Sequence, residues 1–598
     1  MLEETDIDIL ALRKKYQQER DKRIRSDGNA QYQMASGDWA GFASDPFIDK
    51  PLQRDALNDF VEIAIIGGGL GGLLLGVELK EQGFDDIRVI DESGDFGGTW
   101  YWNRFPGAMC DIESYVYLPL LEEMGYMPSE KYASGDEILS YLQSIARRYS
   151  LYNNACFQTS VTKLVWSDTD SHWLIETNRG DRIRARYVCM SNGILNRAKL
   201  PTLPGLETFT GKIFHTSRWD YRYTGGSTKT PMTELNDKRV AIIGTGATAI
   251  QCVPALARDA KHLTVIQRTP SAVFVRDNGP TDPDWVNSLE SGWQKQRAYN
   301  FDATVTMIDA GIDMVADGWT EVSRRVLDIA APLGGIENVP PEDLALLLEK
   351  LDMGAMENVR RRVDNIVDDA TTASALKPWY RRSCKRPCFH DSYLPTFNRD
   401  NVTLVDTDGR GVESVTETSI MAGGQELEAD CIILATGFDF IGDYPDRSGY
   451  DIIGRDGLEL GEKWRNGYRT LHSMQSNGFP NCFILGNKQG TFSYNICNLL
   501  QQQATHIAYI LGETRRRGYS VVEATPEAEQ EWVDYILALP DNSSELIDQC
   551  TPGSYNMEGT SAENAHPQNR SMTIAVQFFS LLSDWRDSGD LRGLSLKK

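Results

Sequence analysis

The chain is poor in cysteine, in positive charge and in uninterrupted apolar sequence. Its ten cysteines include no CxxC pair, so the sequence favours neither a disulfide-rich secreted domain nor a zinc site, and we predict reduced cysteines and no metal. The 61 basic and 85 acidic residues give a net charge of −24, which disfavours binding to nucleic acid or to anionic membranes. The longest apolar stretch, 63–77, contains six glycines and is too short to span a bilayer.

What is present is the composition of an ordinary globular protein, with 41% hydrophobic and 24% charged residues. The 598 residues exceed the roughly 150 of a typical domain several times, which predicts a multidomain chain. The N-terminal sequence has no apolar segment after its basic residues, so we expect a cytoplasmic protein rather than a secreted one. We expect a monomer or a small homo-oligomer.

A glycine-rich turn joins a β-branched run to an apolar helical segment. VEIAII (61–66) is typical of a buried parallel strand, and Gly67, Gly69 and Gly72 then form a GxGxxG pattern. These glycines permit a tight turn, close approach of a pyrophosphate and close packing of the helix on the strand. Asp91, 24 residues after Gly67 at the end of the next strand, suits hydrogen bonds to a ribose diol. The pattern predicts a dinucleotide without a 2′-phosphate.

The same arrangement recurs about 180 residues later, with a different strand end. RVAII (239–243) leads into GTGATA (244–249), and the following strand ends in Gln267-Arg268-Thr269 rather than in an acid. The planar fork of an arginine suits a 2′-phosphate, so this turn favours NADP over NAD, and FAD with NADPH fits the two turns together. The predicted contacts of this second cofactor are Thr245, Gly246, Ala247, Thr248, Ala249, Gln251, Arg268 and Thr269.

A third motif, FTGKIFHTSRWD (209–220), lies between the two turns. Its Phe209, Gly211, His215, Trp219 and Asp220 resemble, residue for residue, the fingerprint of the type I Baeyer–Villiger monooxygenases, single-chain enzymes that use FAD and NADPH. In that family the fingerprint lies in a linker between domains. We therefore assign it to coupling the motion of the domains rather than to the bond-making steps.

Other segments extend the resemblance over most of residues 60–560. CTPGSYNMEG (550–559) and the N-terminal arm are similar to those of longer members, several of which act on bulky cyclic or steroid-like ketones. MSNG (190–193) departs from the ATG triplet of many relatives but keeps its glycine. The segment GGTWYWNRFPGAMCDIESYVY resembles the flavin side of the family, which implies contacts to FAD from Gly98, Thr99, Trp100, Tyr101, Trp102, Asp111 and Tyr117.

The resemblance implies that Arg386, in the segment CKRP, lies beside the flavin and the nicotinamide. In the family reaction, reduced flavin and O2 give a C4a-peroxide that attacks a ketone as an anion, and the Criegee-type adduct leads to an ester or lactone. A guanidinium that stays protonated stabilises negative charge at both stages. Asp111 is the expected carboxylate partner of Arg386, and Lys385 is expected to join Arg268 at the 2′-phosphate. The expected partner is a small-molecule ketone.

These patterns predict an α/β protein with two Rossmann-like dinucleotide-binding domains, discontinuous in sequence, and a helical insertion. The predicted divisions are a solvated N-terminal helical arm (1–60), the FAD domain with C-terminal substrate and lid segments (61–196 and 430–598), the NADP domain (197–275 and 376–429) and the helical insertion (276–375).

Three other functions remain open at this level. A flavin enzyme that oxygenates nitrogen or sulfur would share both turns, but Trp219 and Arg386 disfavour it. An NADPH-dependent disulfide reductase would need a redox cysteine pair near the flavin, and no CxxC is present. A non-enzymatic flavin-binding sensor would have no use for Arg268, Lys385 and Arg386 around a second cofactor.

Overall fold

Two sheets organise the chain, and each contains one of the glycine-rich turns between a strand and a helix. The computed structural model describes residues 7–439, 444–486, 488–540, 544–561 and 566–598. The predicted α/β class, with two Rossmann-like units and a helical insertion, is confirmed.

The first sheet has seven strands and combines two distant parts of the chain. Phe60–Ile66 lies parallel to both of its neighbours, Ile87–Ile90 and Arg182–Met190. Residues 63–66 are all buried, because the faces of a parallel sheet are covered, and this explains the apolar run VEIAII. The remaining strands of this sheet are Val161–Ser167, His172–Thr177, Ile452–Ile453 and Cys482–Ile484.

The second sheet has five parallel strands, in the order Val402–Asp406, His262–Gln267, Arg239–Ile243, Cys431–Leu434 and Lys212–His215. Cys431–Leu434 is thus an interior strand of the NADP-side sheet. The predicted start of the second FAD segment at residue 430 is therefore wrong. The run CIIL is apolar throughout because all four residues are buried between two parallel neighbours, and the chain leaves this sheet only after residue 434.

The chain crosses between the two units twice, and the crossings run side by side. Ala198 forms an antiparallel bridge with Phe438, and the Lys199 amide donates to the carbonyl of Gly437 at 2.9 Å. These paired segments are the covalent connection between the two sheets.

Residues 276–375, which are described throughout, contain helices and no strand. The helices of this insertion are Pro283–Asn287, Trp293–Val305, Glu321–Ala330, Pro341–Ile366 and Ala370–Ala375. Short strands pair just outside it, Val273–Phe274 with Cys388–Phe389.

The N-terminal helix Ile9–Asp21 is docked, which corrects the expectation of a solvated helix. Arg13 forms an ion pair with Glu349 of the insertion, and the hydroxyl of buried Tyr16 accepts a hydrogen bond from Arg360 at 3.2 Å. Arg13 is thus a specific partner of the insertion, whereas Lys15 and Arg20 form ion pairs within the arm itself.

The remaining helices and strands complete the two units. Helix Leu70–Glu81 packs against Ile496–Arg516 beside the first sheet. Within the described residues, no helix is both long enough and apolar enough to cross a membrane. The other α-helices are Thr99–Trp102, Ser114–Tyr117, Leu121–Met124, Gly135–Arg148, Tyr221–Thr224, Ala247–Asp259, Tyr393–Thr396, Tyr444–Ser448, Leu460–Trp464, Pro526–Ala538, Ser544–Asp548 and Ala575–Ser588, and the other strands are Tyr32–Gln33, Leu200–Pro201, Val412–Val415, Ser419–Ala422, Gln425–Glu428, Val521–Ala524 and Leu594–Lys597.

Candidate active site

A cavity of about 3260 Å³ is lined by residues from both glycine-rich turns. Pockets for one small ligand measure roughly 300–1,000 Å³. The cavity is therefore large enough for two dinucleotides and a substrate together, and it opens where parallel α/β sheets bind ligands, at the carboxyl ends of their strands.

The first turn presents an open helix end to this cavity. Helix Leu70–Glu81 follows Gly69, and no described side chain caps it, so its first N–H groups can bind an anion. Gly98, at φ 53°, packs so closely that a Cβ there would lie 2.6 Å from the Cα of Gly69. Asp91 accepts a hydrogen bond from the Gly68 amide at 2.5 Å and lies at the cavity wall. These features fit the pyrophosphate and ribose of FAD.

The segment after Gly98 gives this wall an aromatic surface. Trp100 donates from Nε1 to the Tyr117 hydroxyl at 3.0 Å, and the Arg218 guanidinium lies 3.7 Å from the ring centroid of Trp102. Tyr101 differs from its neighbours, because its hydroxyl donates to Asp45 at 2.6 Å and its side chain does not line the cavity. The residues predicted for this side that do line it are Gly67, Gly69, Asp91, Gly98, Thr99, Trp100, Trp102, Asp111 and Tyr117.

Asp111 lies between two arginines. Its Oδ2 accepts from Arg386 Nη1 at 2.5 Å, and its Oδ1 accepts from Nη2 of Arg276, the buried first residue of the helical insertion. The indole of Trp319, from the helical insertion, donates to the Asp111 carbonyl at 2.7 Å. Arg386 of the NADP unit and Arg276 of the insertion therefore hold the carboxylate, and Trp319 of the insertion holds the main chain of the same residue.

Arg386 faces the cavity with part of its guanidinium available. About 41% of its side chain is exposed, although Nη1 is bound to Asp111. Burial disfavours the charge, but the carboxylate of Asp111 outweighs this effect, so the pKa of Arg386 is raised. Arg386 is thus a fixed, permanently positive group at the cavity wall.

Known proteins decide among the functions that the sequence left open. Residues 64–325 match the family model described as pyridine nucleotide-disulphide oxidoreductase. The chain is 51% identical over 595 residues to neopentalenolactone D synthase of Streptomyces avermitilis, covering 99% of this chain and 100% of that protein. It is 44% identical over 601 residues to Baeyer–Villiger monooxygenase ATR8 of Stachybotrys chlorohalonatus, covering 99% and 95%. The chain belongs to the Baeyer–Villiger monooxygenases.

Solved structures agree with this assignment. The polycyclic ketone monooxygenase of the thermophilic fungus Thermothelomyces thermophila has a TM-score of 0.91 at 39% identity, covering 99% of both chains. A complex of OTEMO with FAD and NADP has a TM-score of 0.72 at 25% identity, covering 90% of this chain and 99% of that one. The monooxygenase is a flavoprotein that uses FAD, NADPH and O2 to convert a ketone to an ester or lactone, as predicted.

The second turn of this monooxygenase also presents an open helix end. Helix Ala247–Asp259 follows Gly246, and a Cβ built at Gly246 would meet open space beyond its own chain neighbours. Thr245 Oγ1 donates to the Thr269 carbonyl at 2.7 Å, which fixes the turn against the next strand end. This site fits the pyrophosphate of NADPH. Ala249 is buried within the helix, and the predicted residues that line the cavity are Thr245, Gly246, Ala247, Thr248, Gln251, Arg268 and Thr269.

Gln251 ties the second turn to the flavin side. Its Nε2 donates to the Met109 carbonyl at 2.9 Å and reaches Asp111 Oδ1 at 3.3 Å. The NADP-side helix Ala247–Asp259 is thus hydrogen-bonded to the carboxylate that holds Arg386.

Arg268 and Lys385 lie on the same side of the cavity, and each has a partner from outside the NADP unit. Arg268 binds Glu558 Oε2 through Nη2 at 2.8 Å and Gln31 Oε1 through Nη1 at 2.5 Å. Lys385 Nζ donates to the Pro552 carbonyl at 2.8 Å. Burial and the charge of Arg268 lower the pKa of Lys385 to about 8.

The family fingerprint lies outside the cavity, at the edge of the second sheet. His215 ends the strand Lys212–His215, is fully buried, and contacts the ring of Phe438 with centroids 5.6 Å apart. Burial lowers the pKa of His215 to about 3, so its imidazole is neutral. Trp219 is also fully buried. The remaining fingerprint residues, Phe209, Gly211 and Asp220, are likewise absent from the cavity wall.

Sequence reasoning missed four residues of the site, namely Arg276, Trp319, Gln31 and Glu558. Arg276 follows the short strand Val273–Phe274 without any motif around it. Glu558 lies inside CTPGSYNMEG, a segment that the sequence assigns to the substrate and lid part of the chain rather than to cofactor binding. The one sequence signal for Arg276 is its position at the end of the apolar run AVFVR, because a charged residue next to buried strand residues can itself be buried when it is paired.

The expectation of reduced cysteines is wrong for one pair. Cys384 and Cys550, 166 residues apart, form a disulfide, while the other eight cysteines are free and buried. Spacing could not indicate this pair, because only the fold brings the two residues together. Both half-cystines are largely buried, and both lie at the cavity wall.

Proposed function

We propose that this monooxygenase oxidises a bulky cyclic ketone and that Arg386 provides the positive charge on which the reaction depends. The observation that carries the proposal is the position of Arg386, held by Asp111 in a cavity that both glycine-rich turns line. The names of the relatives support this substrate class, since one is a polycyclic ketone monooxygenase.

Bound FAD, reduced by NADPH, supplies the activation of O2, and the protein supplies position and charge. The first turn and the open end of helix Leu70–Glu81 hold the FAD pyrophosphate, and Asp91 holds its ribose. Gly246 allows close approach of the NADPH pyrophosphate, and Arg268 with Lys385 binds the 2′-phosphate. The flavin-side wall consists of Thr99, Trp100, Trp102 and Tyr117.

The charge cluster of Asp111, Arg276 and Arg386 carries a net positive charge, because two guanidinium groups share one carboxylate. A pair of Asp111 with Arg386 alone would be neutral. The second arginine leaves positive charge for the oxygen that becomes negative when the ketone carbonyl is attacked. Arg276 therefore acts as a positioning residue that keeps Asp111 from neutralising Arg386.

Exposed aromatic side chains give the cavity an apolar wall next to Arg386. Phe492 and Tyr494 lie 5.2 Å apart between ring centroids, and Tyr494 lies 4.7 Å from Trp319. Tyr555 also faces the cavity and is close enough to interact electrostatically with Arg386. Such a surface suits a fused-ring ketone whose carbonyl points toward the guanidinium.

The fingerprint residues couple the two units. His215 contacts Phe438 beside the paired crossings, so a rotation of one unit moves the edge strand that carries the fingerprint. Cytoplasmic localisation and a monomeric or small oligomeric state remain predictions from the sequence.

The test replaces Arg386 by glutamine in the FAD-loaded enzyme. We expect the rate of ester formation to fall by about 10²–10³, because one preorganised donor at the developing charge is lost. We expect NADP⁺ binding to persist and hydrogen peroxide to account for most of the NADPH that is consumed. Product formation, NADPH oxidation and peroxide are measured together, and Arg258→Gln, at an exposed arginine outside the cavity, is the control.

An Arg386→Gln variant that forms ester at the wild-type rate would contradict the assigned role. Arg386→Lys separates charge from geometry, since an ammonium keeps the charge but loses the planar fork. We expect it to recover part of the lost rate.

A further inference from the structure

The 2′-phosphate side of the cavity contains a buried carboxylate that cofactor binding alone does not explain. Glu558 lies 2.8 Å from Arg268, and only 3% of its side chain is exposed. Buried carboxylates occur where they are paired, and here the partner is the arginine assigned to a phosphate. Glu558 must therefore either compete with the phosphate for Arg268 or hold the guanidinium of Arg268 in the orientation that binds the phosphate.

The charge around Glu558 favours the second alternative, in which Glu558 orients Arg268 for the phosphate. Lys385 and Lys199 also interact electrostatically with this carboxylate, and Lys199 Nζ has no hydrogen-bond partner among the described residues but lies 4.8 Å from the ring centroid of Tyr32. Three basic side chains thus interact with one carboxylate. A phosphate monoester carries about −1.5 to −2 charges at neutral pH, which the excess positive charge can balance without displacing Glu558.

The geometry of Arg268 supports the same conclusion. Gln31 and Glu558 bind its two terminal nitrogens, Nη1 and Nη2, and so fix the plane of the guanidinium. A guanidinium has five N–H donors, of which these contacts use two. An arginine that is already held in place loses less conformational freedom when it binds a phosphate.

Internal hydrogen bonds and a disulfide fix the loop that carries Glu558. Asn556 accepts hydrogen bonds from the amides of Gly553 and Gly559 at 2.9 and 3.2 Å, which closes the loop on itself. The disulfide from Cys550 to Cys384 joins the loop to the residue preceding Lys385. Glu558 adopts φ 57°, a conformation that non-glycine residues keep only where the surroundings impose it.

We propose that Glu558 is a positioning residue for the NADPH 2′-phosphate, holding Arg268 in the orientation that makes the enzyme prefer NADPH to NADH. The inference rests on the proposed assignment of Arg268 and Lys385 to that phosphate. It adds a specificity determinant from the C-terminal part of the chain to a site whose fingerprint lies near residue 246.

The test is Glu558→Gln in the FAD-loaded enzyme, with calorimetric titration of NADP⁺, NAD⁺ and adenosine 2′-monophosphate. We expect binding of NADP⁺ and of the monophosphate to weaken by about tenfold, the loss of one charge-assisted hydrogen bond, and binding of NAD⁺ to change by less than about twofold. Glu558→Asp should recover part of the loss. The control is Glu529→Gln, which removes a buried glutamate paired with Lys463 outside the cavity.

Two results would overturn the inference. Tighter binding of NADP⁺ by Glu558→Gln would show that the carboxylate competes with the phosphate. Equal weakening of NADP⁺ and NAD⁺ would show that Glu558 only stabilises the fold.

Arg268→Ala separates this inference from the assignment beneath it. If Arg268→Ala leaves the preference for NADP⁺ intact, the 2′-phosphate assignment itself is wrong, and the inference falls with it. If Arg268→Ala abolishes the preference while Glu558→Gln binds like the wild type, only the role of Glu558 is wrong.

Discussion

The two dinucleotide sites share a glycine-rich turn but differ in what completes them. Asp91, at the first site, binds the amide of Gly68 within its own strand–turn–helix unit. Arg268, at the second, binds Gln31 and Glu558, which lie 237 and 290 residues away in sequence. The first site is locally encoded, whereas the second is assembled from both ends of the chain.

The third position of the two turns shows a second difference. A Cβ at Gly72 would lie 1.9 Å from the Gly67 carbonyl oxygen, whereas Ala249 already carries one at the matching position. The helix therefore lies closer to its turn at the first site than at the second. This closeness leaves no room for a side chain at Gly72.

The largest effect is expected from a substitution that forces the helix away from the first turn. Gly72→Ala places its methyl group against backbone that cannot move without opening the turn, so we expect loss of bound flavin and of folded protein. Flavin content after purification and the thermal unfolding temperature measure the effect.

Ala249→Gly is the matched change at the second site. It should cost only about 1 kcal/mol, the helix penalty of glycine, and leave the flavin bound. If Gly72→Ala and Ala249→Gly had the same flavin content and the same unfolding temperature, the difference in packing between the two turns would be contradicted.

A smaller effect is expected from Gly246→Ala. Its φ of −78° suits alanine and its Cβ meets open space, so the fold and the flavin content should be unchanged. The methyl group occupies the space where the pyrophosphate approaches, and we expect NADP⁺ and NAD⁺ to bind about tenfold more weakly or worse. Calorimetric titration tests this, and a selective loss of NADP⁺ binding would contradict it.

The smallest effect is a pH dependence confined to the second site. With a pKa of about 8, Lys385 is protonated below that pH and loses its charge above it. A phosphate needs the cation, so the dissociation constant of NADP⁺ should rise by less than about tenfold between about pH 7 and 9, while that of NAD⁺ stays level. Lys385→Arg, which stays charged, should remove the dependence, and a parallel rise for NAD⁺ would contradict the assignment.

The difference between the two sites also explains which of their residues can be predicted from the sequence. The strand–turn–helix units and the residues at their strand ends can be predicted from the sequence, because local propensity and spacing decide them. Arg276, Gln31 and Glu558 were not, because their roles depend on contacts between distant segments. The disulfide between Cys384 and Cys550 belongs to the same class of feature, as does the strand Cys431–Leu434, whose sheet only the fold reveals.

The two sites meet at the charge cluster, where Asp111 of the flavin side holds Arg386 of the NADP side and Arg276 of the helical insertion. We expect this junction to direct oxygen from O2 into a ketone. To test this, the FAD-loaded enzyme is incubated with NADPH, oxygen-18 gas and a polycyclic ketone, and the product is analysed by mass spectrometry. The expected product is an ester or lactone that carries one oxygen-18 atom. Consumption of NADPH with release of labelled hydrogen peroxide and no labelled ester would contradict it.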